Sequence, residues 1–78
     1  MNAMEKKLRD TINQRTGGAE VIAQHETDQF GTTLVVTKNE HGFSVLCLFP
    51  VASQWNTSMD KVDVSPEEAI LAIFNRLS

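Results

Sequence analysis

The sequence has few of the residues from which covalent frameworks and metal sites are built. It has one cysteine, Cys47, in 78 residues, so an internal disulfide and a disulfide-stabilised secreted scaffold are excluded. Structural zinc sites place Cys and His ligands at short spacings, and neither His25 nor His41 stands at such a spacing from Cys47. We therefore expect no metal and no cofactor.

Long apolar runs and catalytic motifs are also missing. No apolar stretch approaches the length of a membrane span, and the N-terminus carries no signal-peptide core, which predicts a cytoplasmic protein without a membrane partner. Gly17-Gly18 follows a predicted helix, whereas a phosphate-binding loop would precede one. No Lys or Arg lies within six positions of Cys47, which predicts a buried, unreactive thiol. With no nucleophile beside a plausible base, we expect no enzyme and infer no small-molecule substrate.

Charge is unevenly distributed along a chain of net charge −3. Residues 1–18 contain four basic and two acidic residues, whereas residues 19–78 contain three basic and eight acidic ones. An acidic body repels phosphate backbones, so only the first helix has the charge to attract one.

Two helices are predicted, one at each end of the chain. Met4, Leu8 and Ile12 recur every four residues and predict a helix over residues 3–16, which glycine ends at position 17. Ser65-Pro66-Glu67-Glu68 is typical of a helix start and predicts a second helix over residues 66–77. An apolar stripe along this second helix is expected to pack on a sheet: Ala69, Ile70, Ile73, Phe74 and Leu77.

Three strands are predicted between the helices, at residues 19–26, 32–38 and 43–49. The second and third form a hairpin around residues 39–42, and the apolar pattern favours the register that pairs Lys38 with Phe43. Pro50 is expected to end the third strand. Residues 50–64 are interpreted as an irregular loop, with a short fourth strand over residues 61–64 as the alternative.

These elements predict one α+β domain over residues 1–78, with residues 1–3 frayed or non-native. The expected architecture is a two-layer sandwich of order α-β-β-β-α. An antiparallel three-stranded sheet, or four-stranded with the short extra strand, carries both helices on one face.

The far face of that sheet is unusually apolar for a two-layer fold. Val35, Leu46 and Leu48 share it, and we expect them to be covered either by residues 50–64 or by a partner such as a second copy. Trp55 is either an interface anchor or a loop side chain packed on the core. These four residues are the predicted partner-binding residues of a small, non-catalytic accessory or regulatory protein, monomeric or homodimeric, that acts through protein–protein contact.

The order α-β-β-β-α and the chain length are similar to those of double-stranded-RNA-binding domains. The resemblance implies phosphate contacts from the start of the last helix and minor-groove contacts from the first. Here the last helix opens with Pro66-Glu67-Glu68, which is acidic where that family is basic. The alternative function is therefore nucleic-acid binding through Lys6, Lys7 and Arg9 of the first helix.

Overall fold

A computed structural model describes residues 2–78 as two helices and a four-stranded antiparallel sheet. The elements are α1 (Ala3–Thr16), β1 (Glu20–Glu26), β2 (Thr33–Asn39), β3 (Gly42–Val51), β4 (Gln54–Val64) and α2 (Pro66–Leu77). The strands lie side by side in chain order, β1-β2-β3-β4. The α+β class is confirmed. The sheet has four strands, so the alternative of a fourth strand over residues 61–64 is right in part, but β4 is longer than expected, with 11 residues.

Both helices have the predicted ranges, and glycine ends α1 and Ser65 begins α2 as predicted. At α1 the backbone N–H of Glu5 donates to Asn2 Oδ1 at 2.8 Å, an N-cap that the sequence analysis does not identify, and Gly17 ends the helix in the left-handed conformation. The fraying expected of Asn2 and Ala3 stays a prediction, and Met1 lies outside the described residues. At α2 the N–H of Glu68 donates to Ser65 Oγ at 3.2 Å.

The hairpin between β2 and β3 has the predicted register, in which Lys38 pairs with Phe43 and Asn39 with Gly42. The Asn39 side chain accepts from the N–H of His41 at 2.7 Å and closes the turn. Gly42 has a φ of 137°, and a Cβ there would lie 2.6 Å from the carbonyl oxygen of Val64. Glycine is therefore required where the end of β4 passes this turn.

The hairpin between β3 and β4 replaces the loop that the sequence predicts. β3 continues through Pro50 to Val51, so Pro50 does not end the strand. Proline is tolerated there because β3 has already passed its last paired residue on β2, Thr33, and has only one neighbouring strand. The turn uses Ala52 and Ser53, both left-handed, without the Asn or Gly that normally indicates such a turn.

Two irregularities in β4 hide its strand character in the sequence. The pairing with β3 shifts between Met59 and Thr57, which interrupts the two-residue alternation of sheet faces. A second shift follows near Asp63, which has a positive φ of 55°. A strand whose side chains change face twice shows no single period, so its sequence resembles a loop.

The sheet lies between the two helices, so the expectation that both share one face is not met. Leu8 and Ile12 of α1 pack in one cluster with Leu46, whereas Ala69 of α2 packs in a second cluster with Val45. Neighbouring residues of a strand point to opposite faces, so α1 and α2 cover opposite faces. The fold has three layers, helix, sheet and helix.

Among residues 2–78, no helix has both the length and the apolar character needed to cross a membrane.

Candidate partner-binding surface

The residues predicted to bind a partner lie under α1. Val35, Leu46 and Leu48 are fully buried in the cluster that Leu8 and Ile12 complete. They are core residues and take no part in any exposed surface, which corrects the sequence expectation. The cover comes from α1 because this helix crosses to the face that was expected to be open.

Trp55 belongs to the same core. It is half-buried against the α1 cluster, and its indole Nε1–H donates to the carbonyl oxygen of Met4 at 2.9 Å. Of the two interpretations of Trp55, an interface anchor or a side chain packed on the core, the structure shows the second, although Trp55 lies in β4 and not in a loop. Trp55 therefore holds α1 on the sheet.

The basic residues of α1 are exposed, but not all are available to a ligand. Lys7 Nζ donates to the carbonyl oxygen of Ser53 at 2.8 Å, in the β3–β4 turn. Arg9 lines a shallow cleft of about 300 Å³ between α1 and β1, together with the uncharged Asn13 and Gln24. Lys6 is exposed on the outer side of the helix. Lys6, Lys7 and Arg9 thus share one helix without forming a continuous basic site.

The opposite face of the sheet is covered by the small residues of α2. Ala69 and Ala72 are buried, and Ile73 is half-buried beside them. Ala69, Ala72 and Ile73 follow helical spacing, so they form the stripe that faces the sheet. The predicted stripe is therefore wrong in three of its five members, Ile70, Phe74 and Leu77, which are exposed.

Four large apolar side chains of α2 point away from the sheet, and we call them the α2 outer face. Their exposed fractions are 58% for Ile70, 61% for Leu71, 70% for Phe74 and 56% for Leu77. Scattered exposed apolar residues are ordinary in monomers, but four on one 12-residue helix form a contiguous patch. Such a patch is typical of a contact surface.

A shallow apolar pit adjoins the α2 outer face. Its volume is about 220 Å³, and it lies between α2 and the β2–β3 hairpin, lined only by apolar residues: Val36, Phe43, Pro66, Ala69, Ile70 and Ile73. Phe74 stands one turn beyond this pit along the helix, where it is a protruding knob. The surface therefore has both an apolar pit and a protruding apolar side chain, Phe74.

The C-terminal end of α2 is held by Arg76. Its Nε–H donates to Sγ of the buried Cys47 at 3.1 Å, so the thiol has a cation beside it that sequence distance alone does not reveal. The pKa of Asp28 lies below its usual value because the Thr32 side chain and the backbone N–H groups of Phe30 and Thr32 hydrogen-bond its carboxylate, with a further contribution from the charge of Arg76. The β1–β2 loop therefore lies near this end of α2.

The residues that the structure describes form no cluster of side chains that could hold a metal ion. No three His, Cys, Asp or Glu side chains within residues 2–78 converge on one point. His25 and His41 are both exposed, His25 on β1 and His41 in the β2–β3 turn. Cys47 is fully buried and has no access to a substrate.

Comparison with protein-family models, with curated proteins and with solved structures finds no match to this chain. The element order α-β-β-β-β-α also departs from the order on which the resemblance to double-stranded-RNA-binding domains was based. Function must therefore be inferred from the surface itself.

Sequence reasoning missed the α2 outer face although its signal is present. The apolar residues of α2 form two adjacent stripes, one of small residues and one of large residues, and Leu71 lies beyond both. An arc this wide exceeds what a single sheet face can cover. Reading the small residues as the buried stripe would have assigned the large ones to the outside.

Proposed function

We propose that this chain is a small, non-catalytic accessory or regulatory protein that acts by binding another protein chain through the α2 outer face. One observation carries the proposal, the exposure of Ile70, Leu71, Phe74 and Leu77 on a helix that is already seated on its sheet. Burying a side chain of this kind is worth about 1.5–3 kcal/mol. The patch is therefore a large unused source of binding free energy.

The charge around the patch supports the same function. Residues 69–74 contain no charged side chain, whereas Glu67 and Glu68 lie at one end and Arg76 at the other. Protein interfaces commonly have an apolar, uncharged centre and a polar rim. Phe74 is the natural anchor because aromatic side chains dominate the binding energy of many interfaces.

The non-catalytic part of the proposal rests on the surroundings of Cys47. The Arg76 guanidinium lies beside the thiol, but the thiol is fully buried and so out of reach of a substrate. The cytoplasm is the proposed compartment because a lone, buried, unpaired thiol is typical of reducing environments.

Site-specific photo-crosslinking in the native host tests the proposed surface. A photoreactive amino acid at Leu71 should give a crosslink to a protein, because this side chain belongs to the α2 outer face and is 61% exposed. The matched control is the same amino acid at Gln14, an exposed residue of α1. Equal labelling from both positions, or none from Leu71, would contradict the proposal.

Nucleic-acid binding remains the alternative, with weaker support. Of the basic residues on α1, Lys7 is engaged with Ser53, and Arg15 forms an ion pair with Asp60 at 2.7 Å. We expect a flat fluorescence-anisotropy titration against duplex RNA and DNA at low salt. Salt-sensitive binding that is lost in the Lys6→Ala, Arg9→Ala double variant would favour the alternative instead.

A further inference from the structure

We propose that the α2 outer face is covered by the same face of a second copy of this chain, with the two α2 helices antiparallel across a two-fold axis. The inference rests on the proposed function, since it names the partner of that surface. Two features carry it: the area of the patch and its shape.

The molecule has more surface than a monomer of its mass normally exposes. Its solvent-accessible surface is 5101 Å² for 8.7 kDa. The usual scaling for monomeric proteins gives about 4,700 Å² for this mass. The four side chains of the α2 outer face alone expose on the order of 500 Å², near the upper range for the largest apolar patch of a monomer.

Two copies of the patch reach the size that a specific interface needs. Mutual burial of the two patches removes roughly 1,000–1,200 Å² of surface, which is the lower limit for a specific protein–protein contact. An interface of this size predicts a reversible dimer in the micromolar range rather than an obligate one.

The shape of the surface is complementary to itself. Phe74 protrudes, and the pit beside Ile70 lies four residues nearer the start of α2, about 6 Å along the helix. A two-fold axis at the level of Ala72 places each Phe74 opposite Ile70 of the other copy, and so over the other copy's pit. A closed two-fold dimer needs such an isologous match between a surface and itself.

The charges at the two ends of α2 do not oppose this arrangement. Glu68 and Arg76 lie equally far from Ala72 on either side, but the Arg76 guanidinium is held at the buried Cys47 on the sheet side of α2, so no charge pair between the copies is part of the inference. The residues between Glu68 and Arg76 are uncharged, so no like charges meet at the centre. The antiparallel helices further place the positive N-terminus of one beside the negative C-terminus of the other.

Sedimentation equilibrium of the full chain from about 1 to about 200 µM tests this inference. We expect a monomer–dimer equilibrium that Phe74→Asp weakens at least tenfold while circular dichroism stays unchanged. Ile22→Asp is the matched control, because Ile22 is also an exposed apolar residue, at 49%, but lies on the edge strand β1 and outside the α2 outer face. It should leave the equilibrium unchanged. If Phe74→Asp fails to fold, Leu71→Glu takes its place.

Disulfide crosslinking tests the geometry independently. A two-fold axis at Ala72 places residue 67 of one copy opposite residue 77 of the other, so Glu67→Cys mixed with Leu77→Cys should form a mixed disulfide under mild oxidation. Either variant alone should crosslink more slowly, because the introduced cysteines of its two copies lie about 15 Å apart along the helix axes. Equal crosslinking of the mixture and of each variant alone overturns the antiparallel arrangement.

The outcomes separate this inference from the proposed function. If the wild-type chain stays monomeric at about 200 µM, the proposal that a second copy covers the α2 outer face is wrong. A crosslink from Leu71 to a different protein then leaves the proposed function standing. A dimer that is indifferent to both Phe74→Asp and Leu71→Glu overturns the α2 outer face as a contact surface, and the proposed function with it.

Discussion

The two helices of this protein cover the two faces of one sheet in opposite ways. α1 turns large side chains inward, where Leu8 and Ile12 are buried, and exposes Lys6, Asp10 and Gln14. α2 turns small side chains inward, and its large apolar residues face solvent. Both helices are amphipathic, but only α1 buries the whole of its apolar side within this chain.

The difference shows that the large apolar side chains of α1 are covered within this chain, whereas most of those of α2 are not. A helix that contacts its sheet through alanines lies close to the sheet. The large apolar side chains on the other side of the helix then make no contact with the sheet. The surface under α1 therefore determines stability, and the surface on α2 is available for association. Each of the following variants tests that division.

The largest expected effect is the loss of a large side chain under α1. Leu46→Ala should lower the free energy of unfolding by about 2–5 kcal/mol, because a fully buried leucine leaves a cavity. Phe74→Ser on α2 should change it by less than about 0.5 kcal/mol, as for other exposed positions. Urea denaturation at low protein concentration measures both.

The milder Ile12→Val variant, expected to cost about 0.5–1.5 kcal/mol, keeps the comparison measurable if Leu46→Ala does not fold. A cost for Phe74→Ser equal to that for Ile12→Val would remove the distinction between the two helices.

Enlarging a small residue under α2 should have the next largest effect. Ala72→Leu should cost about 1–3 kcal/mol, because the helix lies too close to the sheet to admit three more carbon atoms. Asn75→Leu adds a leucine to an exposed position of the same helix and should leave thermal stability nearly unchanged. If Ala72→Leu stabilises the monomer, α2 is not closely seated.

The hydrogen bonds that hold the two helices should differ in strength. Trp55→Phe keeps an aromatic ring but removes the donor to Met4, and we expect a loss of about 1 kcal/mol. Arg76→Met removes the donor to the Cys47 sulfur on the α2 side and should cost less, because sulfur is a weak acceptor. Chemical denaturation followed by circular dichroism compares the two, and the reverse order would contradict this account.

The smallest expected effect concerns the ion pair between α1 and β4. Arg15 and Asp60 have side chains that are 46% and 38% exposed, so their coupling in a double-mutant cycle should be only about 0.2–1 kcal/mol. It should decrease further in 1 M salt, where screening acts within about 3 Å. The control cycle pairs Lys6→Ala with Asp60→Ala and should show no coupling.

Sequence reasoning found the elements with regular periods and clear caps. The spacing of Met4, Leu8 and Ile12 and the end at Gly17 define α1, Ser65 and Pro66 begin α2, and the β2–β3 hairpin is correct in its register. These features depend on neighbours in the chain, so local patterns predict them.

Apart from the apolar stripe of α2, the errors originate in β4, of which only residues 61–64 were considered as a strand. Its turn uses Ala52 and Ser53, which do not indicate a left-handed turn, and a shift of register near Ser58 interrupts its alternation. With only three strands, the sheet was expected to have one covered face, and both helices were assigned to that face. The candidate surface was therefore assigned to Leu46 and Leu48, which α1 covers, and not to α2.

The central claim is that the sheet lies between α1 and α2, and methyl–methyl nuclear Overhauser effects test it most directly. The account predicts cross-peaks from Ile12 to Leu46 and from Ala72 to Val45, with none between Ile12 and Ala72. Cross-peaks that join Ile12 to Ala72 would place both helices on one face and contradict it.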